Sequence, residues 1–157
     1  MMIFFQAGAQ KVAFIKTDSI LAACPDYIAA QKTISEKADT YRAELESALK
    51  LIDEMYNSYQ SRKQYLSSSS RSTIEQQIIS LENELKSKQE KYFGEGGEME
   101  QASAALLTPI KDRINAVIKS YAVARGYSMV VDISVSSNIV YYDEKSDITR
   151  KIIVMLK

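Results

Sequence analysis

The apolar positions of this chain form a long periodic middle section flanked by short apolar runs. Residues 11–17, KVAFIKT, hold Val12, Phe14 and Ile15 in a β-prone run, and Asp18 and Ser19 follow as a stop, so a short strand is expected there. Pro25 and Asp26 suit the first turn of a helix, where N–H groups lack intrahelical partners and the dipole favours negative charge. A helix is therefore expected from Pro25. From Ile34 the apolar residues step by four and three through Ala38, Tyr41, Leu45, Ala48, Ile52, Met55 and Tyr59. That 3.5-residue spacing keeps one stripe against a partner helix, and the residues between are charged or polar.

The row lapses at Arg62 and resumes at Leu66, just before Ser67, Ser68, Ser69, Ser70, Arg71 and Ser72. Serine side chains compete with helix through local hydrogen bonds, so the turn belongs here. Ser72 and Glu75 match a capping box for a second helix, along which Ile74, Ile78, Leu81, Leu85 and Lys88 repeat the spacing. The two segments can then zip into an antiparallel coiled-coil hairpin with its tip near 67–72. The rising helix, 25–66, would be roughly 60 Å long. Gly94, Gly96 and Gly97 interrupt the descending helix and mark a hinge, opposite about Arg42 to Leu45.

A third helix is expected over 99–125, with Leu106, Ile110, Ile114, Val117, Ile118 and Tyr121 on a broad apolar face and Gly126 as its C-cap. Pro109 either bends it or marks its start after Thr108. Two further strands, 127–134 (with Val130, Val131 and Ile133) and 138–142 (with Ile139, Val140 and Tyr141), read as a β-hairpin joined by Val135, Ser136 and Ser137. Asp147 can cap a short terminal helix. The expected fold class is α+β: a small β-body from 11–24 and 106–157, and a helical arm from 25–105.

Composition narrows the chemistry. Basic and acidic residues number 20 each, which gives no electrostatic case for nucleic acid as a partner. With no histidine and one cysteine, the usual zinc ligands and the usual general base of nucleophilic catalysis are missing, so no catalytic residue, metal or cofactor is assigned. Glu95, Glu98 and Glu100 lie near Gly96, but their spacing fits no EF-hand. The start MMIFFQAGAQ is either a clipped export signal or a disordered beginning. Leu21, Ala22, Ala23 and Cys24 spell a lipobox, yet Lys16 to Ser19 break the apolar stretch that lipidation requires, and Cys24 is read as a small buried residue.

Three segments carry a family resemblance: KVAFIKTDSIL at the start, LLTPIKDRINAVIKSYAVARGYSMVVDIS from Leu106, and NIVYYDEKSDIT from Asn138. In this order and spacing the chain resembles the Skp/OmpH family of periplasmic chaperones. The resemblance implies a periplasmic, ATP-independent holdase for unfolded outer-membrane β-barrel proteins. It also implies a homotrimer, with strands of three protomers closing a shared barrel and helical arms enclosing a client cavity. Val12, Phe14, Ile15, Val130, Val131, Ile133, Ile139, Val140 and Tyr141 would be the oligomerising strand residues. Unpaired strand edges make a monomer awkward on physical grounds as well.

The chain departs from that family in one respect, since such arms are typically basic and residues 27–92 hold ten Lys or Arg against ten Asp or Glu. Lipopolysaccharide or membrane contact is accordingly not assigned. Client contact is expected to rest on apolar and tyrosine surface, with Tyr56, Tyr65, Leu49 and Tyr92 as candidates; Tyr56 and Tyr65 could equally pack the hairpin. The competing function is a structural or adaptor coiled coil that pairs with one envelope partner.

Overall fold

A computed structural model describes residues 10–135 and 138–157; the signal-like start at 1–9 and the connector residues Ser136 and Ser137 lie outside them. The element order is β1 (Val12–Ile15), α1 (Thr17–Ala22), α2 (Pro25–Arg62), α3 (Ser68–Phe93), α4 (Glu98–Ala124), β2 (Met129–Asp132) and α5 (Thr149–Met155). The described chain is mostly helical, with a two-stranded sheet. It divides into two compact units, Met1–Gln31 with Leu106–Lys157, and Lys32–Ala105.

In the first unit β1 pairs with β2 in parallel, Val12 opposite Met129 and Ile15 opposite Asp132. Parallel neighbours require a crossover, and here α1 to α4 supply it. The far edge of β1 is also used, because the Ile148 N–H donates to the Phe14 carbonyl at 2.9 Å. Ala13 and Ile15 alternate inward onto a core with Ile20, Ile114, Ile148 and Ile152, against which Ile110, Val117, Ile118 and Tyr121 pack. The broad apolar face expected of the third helix is the face that closes this core.

Among the described residues the expected β-hairpin does not form. Residues 138–142 have no ladder partner; Val140 is fully exposed and Tyr141 nearly so. β2 pairs with β1 along one edge, and among the described residues no strand joins its other edge. Tyr142 turns back instead, its ring 5.1 Å from that of Phe14.

Asp18 and Ser19, expected as a stop, lie inside α1. No side chain near its start caps this helix; the caps come from far along the chain. Lys16 N donates to Thr149 Oγ1 (2.9 Å), Thr17 N to Asp132 Oδ1 (3.2 Å) and Asp18 N to Ser134 Oγ (3.4 Å). First-turn N–H groups have no intrahelical acceptors, so these three oxygens permit a helix where local sequence reads as a stop. Asp147 caps α5 as expected, accepting from Thr149 N at 2.8 Å.

Pro109 lies within α4, which starts at Glu98 and does not break there. The helix ends in a Schellman motif at Gly126, φ +68°, with Tyr127 N on Ala122 O (2.9 Å) and Gly126 N on Val123 O (3.2 Å).

In the second unit α2 passes through a 3-10 turn, Lys63–Tyr65, and the chain re-enters helix at Ser68. The capping box at Ser72 is thus superseded by Ser67, whose Oγ accepts from Ser70 N at 3.1 Å. Leu66 is extended (ψ 145°), so the first serine after it already has a cap residue's geometry, and the remaining serines fill the first turns.

Candidate functional site

The functional surface with most structure behind it is the hairpin of α2 and α3 in the unit Lys32–Ala105. Glu44 meets Lys88 and Tyr92, Tyr41 meets Tyr92, and Tyr59 meets Glu75. Rising numbers on one helix match falling numbers on the other, which is antiparallel pairing. Ile52, Tyr59 and Ile78 are buried between the helices, with Met55, Leu66, Ile74, Leu81 and Leu85 packed against them. Ala38 is buried, and Ile34, Tyr41, Leu45 and Ala48 are half-buried. Every residue of the two apolar rows is thus at least partly withdrawn from water, as a four-three repeat requires.

Polar clamps fix the register of this seam. Lys88 Nζ donates to Glu44 Oε1 at 2.7 Å, and the Tyr92 hydroxyl to Glu44 Oε2 at 2.9 Å. The Lys88 bond, then the Tyr92 bond, holds the Glu44 carboxyl below its usual range; the same contacts push the Lys88 ammonium and the Tyr92 phenol up. Nearer the tip, the Tyr59 hydroxyl donates to Glu75 Oε1, which raises the Tyr59 phenol.

The glycine break is a closed corner. Gly94 N donates to Glu90 O (2.8 Å) and Gly97 N to Gly94 O (2.9 Å), while Gly96 N donates to Glu100 Oε2 and Gln101 Nε2 to Gly96 O, both at 2.7 Å. A Cβ on Gly94 would collide with the Glu90 carbonyl, and one on Gly97 would lie 2.8 Å from Gly94 O and 2.9 Å from Lys91 O. Gly96 adopts φ +68°. At the residues expected to form a hinge, glycine is required by close backbone approach at Gly94 and Gly97 and by a left-handed conformation at Gly96. Glu98, just past the corner, accepts from the Tyr41 hydroxyl and pairs with Lys91 (3.3 Å) and Lys37 (4.0 Å). The Tyr41 bond, aided by Lys91, keeps its carboxyl below the usual range.

Among the candidate contact residues, Leu49 and Tyr56 are half exposed and Tyr65 is 81% exposed, so all three are open to a partner. Tyr92 is not. It is 8% exposed, with its ring stacked on Tyr41 at 4.0 Å between centroids. The spacing of Leu81, Leu85, Lys88 and Tyr92 continues the four-three row, and that was the signal for its burial.

On the other unit, Ile15 is buried, and Val12, Phe14, Val130, Val131, Ile133 and Ile139 are half-buried. Cys24 is buried, with Arg113 Nη2 at 3.8 Å from its Sγ and Arg113 Nη1 at 2.8 Å from Asp26. Two grooves flank α5, one lined by Lys16, Asp147 and Arg150, the other by Tyr121, Arg125 and Met155. Among the described residues no group of three potential metal ligands gathers, and no helix is long and apolar enough to cross a membrane.

No curated protein sequence matches the chain. A crystal structure described as a candidate outer membrane chaperone (OmpH-like) from Caulobacter crescentus shares the fold, with a TM-score of 0.77 over 98% of this chain and 90% of that one, at 14% identity. The sequence profile described as outer membrane protein (OmpH-like) matches residues 11–156. A match of that extent bears out the resemblance carried by the opening, middle and closing segments, and the chain belongs to the OmpH-like family.

Proposed function

We propose that this protein is an ATP-independent periplasmic holdase chaperone that keeps unfolded outer-membrane β-barrel proteins from aggregating. In this reading the unit of β1, β2 and α5 is the body, and the hairpin of α2 and α3 is the arm that contacts clients. Family membership supports the general role, as does the description of the Caulobacter relative as a candidate outer membrane chaperone. The observation that carries the reading is the hairpin surface. Its seam is filled by its own two helices, yet Leu49, Tyr56 and Tyr65 remain open beside it. Weak, non-directional apolar contacts of that kind suit clients of differing sequence that must be released without nucleotide. A coiled-coil adaptor for one fixed partner would instead present a continuous apolar row, and the four-three row here is consumed internally.

The working form in this proposal is a homotrimer whose body strands close a barrel between copies. Residues 138–142 support it, because Val140 and Tyr141 are exposed in a β-prone run that joins no strand among the described residues, and the second edge of β2 is likewise unpaired there. Exposed Val123, Met129 and Val154 on the same unit also favour burial against further copies.

The test mixes the purified full-length chain with a denatured outer-membrane barrel, without nucleotide, and follows light scattering. Suppression near one trimer per client is expected. A triple variant, Leu49→Ser with Tyr56→Ser and Tyr65→Ser, should lose most of it while retaining helix content and mass. Undelayed aggregation with the unaltered chain would end the proposal.

A further inference from the structure

The two flanks of the hairpin differ in how their charges are answered. Next to the buried row, α2 carries a second stripe, Glu46, Leu49, Asp53, Tyr56 and Gln60, at steps of three and four; α3 faces it with Glu75, Ile79, Glu82, Lys86 and Gln89. Two grooves lie between these stripes. One, of about 330 Å³, has Tyr59 and Ile78 beneath and Tyr56, Ile79 and Glu82 beside it. The other, of about 250 Å³, lies between Glu46, Leu49 and Leu85. Leu49, Tyr56 and Ile79 are 49%, 51% and 55% exposed, so each keeps about half its surface for a partner.

Among the described residues the side chains of Glu46, Asp53 and Glu82, which share this flank, enter no ion pair or hydrogen bond. Most other carboxylates of the hairpin are paired, Glu44 by Lys88 and Tyr92, Glu54 by Lys50, and Glu75 of the flank itself by Lys63 and Tyr59; among the described residues Glu84 and Glu90 are not. The apolar side chains of the flank are thus interleaved with three unanswered negative charges. A cation arriving there breaks no existing pair, and the apolar wall beside it lowers the local dielectric and strengthens the attraction. A carboxylate arriving there is repelled by all three, with Lys86 on the same stripe and Lys63 at the groove as the cations within reach.

We propose that this flank is a docking strip for non-native polypeptide segments in which aliphatic or aromatic residues alternate with lysine or arginine. The inference rests on the holdase reading and deepens it by naming the chemistry of the favoured client segment. Apolar contacts hold the segment in the grooves, and Glu46, Asp53 and Glu82 select its sign. Exposed ion pairs are individually weak, so the three together should give about a tenfold preference at low salt, fading as salt screens it.

The experiment uses the full-length chain and labelled peptides of equal length with identical apolar positions, spaced by Lys/Arg, by Glu/Asp or by Ser/Asn, with affinity read by fluorescence anisotropy. The basic peptide should bind about tenfold more tightly than the acidic one. The variant Glu46→Gln, Asp53→Asn, Glu82→Gln should bind the two alike, and lysine at the same three positions should invert the preference. Replacing Leu49, Tyr56 and Ile79 by Ser should weaken all three peptides, with helix content checked by circular dichroism. Equal affinities for the unaltered chain, or a preference that survives the Gln/Asn variant, would overturn the inference. If the chain still suppresses barrel aggregation in that case, the holdase reading stands and only the sign selectivity falls; if it binds no peptide and suppresses nothing, both fall.

Discussion

Replacing Ile78 by Ala tests whether the hairpin stands as its own cooperative unit. Ile78 is 6% exposed and sits between Ile52 and Tyr59 in the middle of the seam. Alanine removes three carbons, each worth about 0.8 kcal/mol when withdrawn from water, or about 2.4 kcal/mol in all. The added cost of an unfilled cavity should be small, because two helices in a single layer can close on the gap, whereas a surrounded core cannot. The seam should therefore open about fifty-fold more often, at 1.4 kcal/mol per factor of ten. Hydrogen exchange followed by mass spectrometry localises the effect. Amides of α3 and of the distal part of α2 should exchange faster by about that factor, while those of β1, β2 and α5 should be unchanged. Uniform acceleration across both units would refute the division, and a change below about threefold would refute the claim that this row carries the hairpin.

Three further outcomes follow from individual contacts. Gly97→Ala should lower the thermal midpoint more than Gly96→Asn, because the new Cβ at Gly97 strikes two backbone carbonyls, whereas Asn tolerates the left-handed conformation and Gly96 has open space around it. Burial pushes the Asp132 carboxyl up, but hydrogen bonds from Ser134 and Thr17 outweigh it and hold it below the reference value of 3.8. A folded-state value below the unfolded one stabilises the body at pH above the ordinary Asp value, and that contribution disappears as pH falls through the lowered one. The difference in melting temperature between the natural chain and Asp132→Asn should accordingly shrink on acidification below about pH 4. Val140→Asp with Tyr141→Ser should reduce the mass measured by light scattering while the helix content stays constant; an unchanged mass would remove residues 138–142 from any contact between copies.

The parts of the fold legible in the sequence are those fixed by nearby residues. Pro25 marks the start of α2, the four-three rows mark the seam, and Gly126 ends the helix before β2, all within a turn or two of the residues that cause them. The parts missed depend on distant partners. Nothing near Thr17 announces α1, since its caps come from Asp132, Ser134 and Thr149. Residues 138–142 have strand composition but join no strand among the described residues. Among the candidate contacts, Leu49, Tyr56 and Tyr65 lie off the four-three row and are exposed, whereas Tyr92 extends that row one step past Lys88 and is buried. The corner at Gly94 to Gly97 was correctly located, but its hydrogen bonds join glycines to Glu100 and Gln101 in a way that composition does not reveal.

The parallel pairing of Val12 with Met129 makes the whole hairpin an insertion between two adjacent strands. Its length is then free of the sheet's register: seven residues removed from α2 and seven from the facing stretch of α3 would leave every surviving row in phase, with the tip and the strand pairing unaltered. Reach can therefore be shortened or extended in whole heptads, as a ruler is cut at its graduations, while the machinery that joins the two ends of the chain keeps the same parts.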